Sequence, residues 1–396
     1  MSLFAPMDQG LQPYAYYVEQ RRRSPVRYDP TQNAWGVYRH AEVKAVLTDY
    51  ANFSSEVPQA RGEETFRESL ISIDPPRHRQ LRNVIAKAFT PGAIAGLAPR
   101  IEAIAHDLLD AIDTQERFDL VNAFAHPLPV MIIAELLGVP AGDRPQYKRW
   151  ADELLNGDGD AMLRDDARRE RARRVLTEMD AYFMEILAAR RVRPQGDLIS
   201  DLLVAEVDGE RLSEEQILSF CMLLLMAGHV TTVNLISNGM VCLLEHPEAL
   251  DALRQNPGGI PRALEEVLRY RSPVQWLARV ARQDLILGGE RVSAGQTIIA
   301  FVGSANRDES VFVDSERFDV SRHPNPHLSF GHGVHFCLGA PLARLEAQIA
   351  MQVLFARFED FHLDLKPGEE LHPLGNSLLH GVSQLPLRAA RTLVAS

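Results

Sequence analysis

Phe330-Gly331-His332-Gly333-Val334-His335-Phe336-Cys337-Leu338-Gly339 is the stretch from which the rest of this chain is read. Gly331 and Gly333 let the backbone turn tightly and approach a flat object closely, and Gly339 does the same directly behind Cys337. From Leu342 the apolar positions Leu342, Leu345, Ile349 and Val353 recur at helical spacing, so Cys337 falls at or just before a helix N-terminus. Amide donors and the positive end of the helix dipole favour a thiolate there. An isolated cysteine more often fills a gap in a core. A stabilised thiolate beside glycine backbone has a second use, axial ligation of haem iron.

Working outward, four further stretches carry chemistry. Asp74-Pro75-Pro76-Arg77-His78-Arg79-Gln80-Leu81-Arg82 opens a helix at its prolines, with His78 and Arg82 four apart on one face. Such a pair can reach one anionic group together, or it is ordinary surface charge. The apolar pattern from Ser213 to Leu244 gives about 32 residues, roughly 48 Å of helix through the interior. Within it, Ala227-Gly228-His229-Val230-Thr231-Thr232 sets small residues beside hydroxyls. Gly228 costs about 1 kcal/mol of helix propensity relative to alanine. That cost leaves room for a ligand against the backbone, or for a neighbouring helix. Glu266-Val267-Leu268-Arg269 puts an acid and a base three apart in an apolar helix, where they can pair. Arg279 follows in a strand region after Pro273.

Taken in this order, the motifs resemble the cytochrome P450 family from about residue 26 to residue 390. The resemblance implies the P450 fold, mainly α with small β-sheets in an α+β triangular prism. It implies Cys337 as axial thiolate ligand of haem b, with Phe330, Gly331 and Gly339 around the cofactor. His78, Arg82, Arg279 and His335 become haem-propionate ligands, and Glu266 with Arg269 a structural pair. Gly228, Thr231 and Thr232 become the oxygen-binding groove, and Leu224, Ala227, Val274, Trp276 and Leu277 line the substrate pocket, with Gln275 beside them. One position departs from the family: Val230 stands where an Asp or Glu usually precedes the threonine, and valine cannot relay a proton.

The remaining segments are expected to frame these motifs. Residues 1–25 read as a polar lead-in whose Arg21-Arg22-Arg23 run is solvated; 26–38 reads as a hairpin and 40–47 as a short helix. Residues 53–69 read as a long loop or marginal helix, which in the family covers the substrate pocket. Helices are expected over 94–112, 128–137, 144–155 and 164–191. Gly157-Asp158-Gly159-Asp160 resembles a calcium loop in composition only, since the ligand spacing and closing Glu are missing.

Composition narrows the function classes. With 46 % hydrophobic and 24 % charged residues the 396-residue chain is that of a soluble globular protein, and its net charge of −11 argues against general nucleic-acid binding. No repeat or low-complexity linker divides it, so one domain over residues 1–396 is expected. Cys221, Cys242 and Cys337 match no disulfide framework or zinc site, which points to a reducing cytoplasm. The N-terminus carries neither a basic n-region nor a long apolar run, so no membrane anchor is expected.

The resemblance implies a monooxygenase that inserts one oxygen atom from dioxygen into a hydrophobic fatty acid, terpenoid, steroid or macrolide. Electrons would come from a ferredoxin or flavodoxin with an NAD(P)H-dependent reductase, since neither a flavin fold nor ferredoxin cysteine spacing is present. A monomer is expected. A peroxide-driven peroxygenase or decarboxylase is the rival reading: Val230 favours it, Thr231 and the lack of a groove arginine oppose it. A non-catalytic haem binder is the third.

Overall fold

The computed structural model describes residues 3–4, 10–57, 69–112, 117–155, 166–207, 209–375 and 377–392. The sequence expectations for 58–68 and for Gly157–Asp160 lie outside the described residues. Helices run in chain order as α1 Tyr14–Arg23, α2 His40–Thr48, α3 Arg77–Ile85, α4 Pro91–Gly96, α5 Ala98–Asp110, α6 Pro127–Leu136 and α7 Arg144–Leu155. They continue as α8 Asp166–Val192, α9 Leu198–Val204, α10 Glu214–Glu245, α11 Pro247–Gln255, α12 Ile260–Tyr270, α13 Val302–Ala305 and α14 Ala340–Arg357.

The strands are short. A five-stranded sheet is ordered β1 (Val26–Asp29), β2 (Ala34–Val37), β10 (Thr297–Ala300), β7 (Leu277–Ala281) and β3 (Phe53–Ser54), with β2 and β10 parallel and the other pairs antiparallel. A second sheet joins β11 (Phe358–Leu363), β12 (Pro386–Arg391) and β4 (Arg117–Asp119). Hairpins β5 (Glu206–Val207) with β6 (Glu210–Arg211), and β8 (Leu285–Leu287) with β9 (Glu290–Val292), complete the set. The fold is mainly helical with small sheets.

The long helix α10 crosses the core. Ser213 caps it and Gln216 returns the bond to the Ser213 amide, a complete capping box. By length and composition alone α10 could span a membrane, but most of its side chains are buried among the other helices. It packs on α6 and α14, and α14 also packs on α5 and α12. The chain therefore carries the two key motifs on neighbouring elements, the cysteine loop just before α14 and the Ala227–Thr232 turn in mid-α10.

Two expectations are corrected. The N-terminal lead-in contains a helix, α1, with Tyr14, Tyr16, Tyr17 and Arg21 buried. Its run of arginines is split: Arg22 and Arg23 are solvated, but Arg21 donates to the Ser304 carbonyl (3.1 Å) and pairs with Glu309 (3.0 Å). Aromatic spacing was the missed signal, because Tyr14 and Tyr270 clamp the Arg307 guanidinium at 3.5 and 3.6 Å. The single helix expected over 94–112 is two, α4 and α5, since Pro99 lies in the first turn of α5.

Candidate active site

The cysteine loop is shaped by backbone that only glycine adopts easily. Gly331 and Gly333 have φ of 71° and 72°. A Cβ on Gly333 would also stand 3.0 Å from Thr48 Cα and 3.1 Å from the Leu47 carbonyl, so the loop is pressed against α2. The Cys337 amide donates to the Phe330 carbonyl (2.8 Å) and the Phe336 amide to the Gly333 carbonyl (3.1 Å). Phe330 lies under the Arg344 guanidinium at 4.4 Å, and Arg344 is held by Glu265 through two bonds (2.6 and 2.9 Å).

The Cys337 side chain has accessible surface although protein surrounds it closely. That surface opens inward. Burial pushes the thiol above its ordinary pKa, and the amides of Gly339 and Ala340 with Arg82 and Arg344 only oppose this. The amides at the helix start thus favour a thiolate as expected, but burial outweighs them. A cation bonded to the sulfur would deprotonate it outright.

Beside the loop lies a corner in which buried donors outnumber acids. His78 is 1 % exposed and neither ring nitrogen meets a hydrogen-bond partner. The His335 ring stands 4.1 Å from it. Burial, then Arg82, lowers His78 to about 4; burial, then His78, lowers His335 to about 3. Arg279 is buried and, among the described residues, bonds only the Ala278 carbonyl (2.8 Å), and burial lowers it to about 10. Arg82 donates to the Phe336 carbonyl (2.6 Å), which ties α3 to the cysteine loop. Lone buried cationic groups are costly unless paired. The donor set, with its unmet imidazole nitrogens, fits a buried dianion such as the two propionates of a haem.

Asp74 is the acid that sequence reasoning missed. It is buried, accepts from Ser54 Oγ and the Ser55 amide, and pairs with Arg282. Its Oδ1 stands 3.9 Å from His335 Nε2, and its charge raises the pKa of His78, His335 and Arg279. Its place four residues before His78 was visible in the sequence; its burial was not.

On α10, Ala227 is exposed and Thr231 half-buried although the helix around them is buried, so these two face an internal space. Thr231 Oγ1 donates to the Ala227 carbonyl (3.0 Å). Gly228 and Thr232 do not share this face. A Cβ on Gly228 would stand 2.9 Å from Ile133 Cδ1, so the glycine admits the close approach of α6. Thr232 is buried and bonds the Gly228 carbonyl (3.3 Å). The Thr232 side chain therefore does not reach the groove. Val230 is buried and places no acid there.

The pocket residues divide as well. Leu224 is buried one turn before Ala227, Leu277 approaches Gly331, and Val274 bridges to Leu379. Trp276 instead packs on Phe4 at 5.4 Å and donates to the Ser377 carbonyl (3.0 Å), so its ring belongs to the N-terminal aromatic cluster. Gln275 is buried between Tyr17 and the Ser272 carbonyl.

Glu266 and Arg269 are 1 % and 0 % exposed and bonded twice, at 2.7 and 2.8 Å. Arg269 also donates to the carbonyls of Asn306, Ser315 and Arg317, and Glu266 accepts from the Asp319 amide and from Asn325. The pair thus pins the irregular segment that leads into the cysteine loop.

Comparison with known proteins agrees with this geometry. The sequence profile described as Cytochrome P450 matches residues 28–257 and 260–386. Cytochrome P450 109 of Bacillus spizizenii is 42 % identical over 379 residues, 95 % of this chain and 91 % of that protein. The erythromycin C-12 hydroxylase of Saccharopolyspora erythraea is 43 % identical over 372 residues, 93 % of this chain and 92 % of that protein. The crystal structure of CYP109E1 from Bacillus megaterium in complex with testosterone superposes with a TM-score of 0.87 at 39 % identity, covering 95 % of this chain and 99 % of that one.

Proposed function

The chain belongs to the cytochrome P450 family of haem enzymes, and from that premise we propose that it is a haem b monooxygenase acting on a hydrophobic molecule of small to medium size. Such a haem supplies dioxygen activation when bound. The observation that carries the reading is the Cys337 side chain, which keeps accessible surface, beside buried donors whose imidazole nitrogens meet no hydrogen-bond partner among the described residues. Cys337 holds the iron, and His78, Arg82, Arg279 and His335 hold the propionates. Phe330, Gly331 and Gly339 shape the proximal surface, with Glu266 and Arg269 bracing the segment behind it. Thr231 would hold a proton at its hydroxyl in the α10 groove. Leu224, Ala227, Val274 and Leu277 orient the substrate by apolar contact and exclude water.

The substrate class follows from the relatives: one acts on erythromycin and another binds testosterone, which supports macrolides and steroids ahead of fatty acids and terpenoids. A single domain over 1–396, a monomeric state and a cytoplasmic location complete the proposal. Electrons come from a ferredoxin or flavodoxin with its NAD(P)H-dependent reductase. Arg77, Arg79 and Lys87 are exposed on and just after α3, which supports docking of an acidic donor. Reduction by a ferredoxin should slow as ionic strength rises; an unchanged rate would remove the electrostatic part.

Turnover tests the whole reading. Testosterone and erythromycin-type substrates are offered with NAD(P)H, ferredoxin and reductase, or with hydrogen peroxide alone. Oxygenated product in the first arm is expected. Val230 favours the peroxide-driven reading, and product in the second arm only would establish it instead.

A further inference from the structure

Around Phe330 the contacts close on themselves. The Arg344 guanidinium, early in α14, lies over the Phe330 ring at 4.4 Å. Glu265 of α12 takes that guanidinium at two points, Nε at 2.6 Å and Nη2 at 2.9 Å. His327 Nε2 stands 3.0 Å from the same carboxylate. The Ser329 amide donates to His327 Nδ1 (3.3 Å), which leaves the ring proton at Nε2, where it is given to Glu265. Ser329 precedes Phe330, and the Phe330 carbonyl accepts from the Cys337 amide (2.8 Å). Arg344, Glu265, His327 and Phe330 therefore form one circuit, and its last member holds the cysteine loop.

The circuit fixes where a positive charge stands. An arginine side chain that is 36 % exposed would otherwise sample many rotamers. Two bonds to one carboxylate set the plane of the guanidinium as well as its position. Burial opposes ionisation of Glu265, but the bonds from Arg344 and His327 hold its carboxyl at about 2, so the anion persists at neutral pH. The Arg344 charge also reaches the sulfur: against burial, it joins Arg82 in pulling the Cys337 thiol down. Arg82 has a use in the propionate corner. Neither that corner nor the substrate pocket accounts for Arg344. We propose that Arg344, clamped by Glu265 and His327 over Phe330, is a positioning residue that raises the reduction potential at Cys337.

The inference rests on the haem-thiolate reading. Reduction adds one electron, given up by an external iron–sulfur or flavin protein, and so one negative charge beside Cys337. A fixed cation next to the cysteine loop favours the state that carries the extra charge. Glu265 cancels part of this field, and solvent at the partly exposed guanidinium screens more of it. The expected effect is therefore modest, about tenfold in the ratio of reduced to oxidised protein.

Arg344→Gln removes the cation and keeps most of the side-chain length. The holoprotein should retain its haem and the red-shifted carbon-monoxide band of the parent. Its midpoint potential, read by spectroelectrochemical titration, should fall by about 59 mV, the tenfold step of a one-electron couple. Arg344→Lys keeps the charge but loses the paired bonds and the flat stack, and should recover less than half of the fall. Glu265→Asp keeps every charge but draws the guanidinium back from Phe330, and should lower the potential in the same direction. An unchanged potential in Arg344→Gln overturns the proposal. Full recovery in Arg344→Lys reduces the effect to bare charge and overturns the clamp. Where Arg344→Gln fails to retain haem, Glu265→Asp decides: a lowered potential supports the clamp and a parental one contradicts it. A parent whose carbon-monoxide band is that of a neutral ligand overturns the haem-thiolate reading itself. A parent with the thiolate band and a potential indifferent to these variants leaves that reading standing and removes only the role of Arg344.

Discussion

The two sides of the proposed haem are built differently. On the sulfur side each group is held from several directions: Gly333 against α2, Cys337 by the Phe330 carbonyl, Arg82 by the Phe336 carbonyl, and Arg269 by Glu266 and three carbonyls. On the groove side the small-residue turn of one helix presents Ala227 and Thr231 with little bracing around them. A cofactor must be held in one geometry, which calls for redundant contacts. A substrate must enter and leave, which calls for few.

Variants can break this contrast. Cys337→Ser should abolish oxygenation while the fold persists, because serine is close to cysteine in size and the side chain keeps accessible surface; loss of product with unchanged circular dichroism would show it. Arg269→Ala should cost about 3 kcal/mol, the low end for a broken buried pair because Arg322 still reaches Glu266 (3.2 Å), read as a lower urea midpoint. Arg279→Leu should weaken haem retention by about 1.5–3 kcal/mol, the worth of a hydrogen bond to a charged group, or ~10–100-fold in transfer to apomyoglobin. A variant that retained haem as well as the parent would remove Arg279 from the cradle.

On the groove side, smaller effects should separate by face. Thr231→Ala should divert reducing equivalents to peroxide or water without loss of stability. Gly228→Ala should leave coupling intact and change stability by no more than about 2 kcal/mol, overpacking against Ile133 being partly offset by helix propensity. Equal loss of coupling in both would erase the distinction between the faces.

The weakest effect is a pH dependence. In the haem-free chain burial holds His78 at about 4, below the 6.5 of an ordinary imidazole. Between those values the unfolded state binds a proton that the folded state refuses, so stability should fall as pH drops from about 6.5 toward 4. A propionate against His78 would offset the burial with its negative charge, and the loaded protein should lose less over the same range in parallel thermal melts.

Much of this was legible in the residues. The cysteine loop, the Glu266–Arg269 pair and the capped long helix are local patterns whose spacing survives folding. What failed needed contacts between distant segments. Gly228 looks the same whether a ligand or Ile133 meets it. Trp276 sits in a pocket-like strand until Phe4 arrives from the other end of the chain. Arg21 reads as solvated until Ser304 and Glu309 enclose it. Asp74 carried no signal beyond its position, since burial and the Arg282 partner come from tertiary structure.

The central claim is a bond between one deprotonated sulfur and iron. The absorption spectrum of the reduced, carbon-monoxide-treated holoprotein tests it most directly. A strongly red-shifted Soret band, as thiolate ligation gives, is the result this account predicts. A Soret band at the shorter wavelength of a neutral axial ligand, from protein that is folded and turning over substrate, would contradict it.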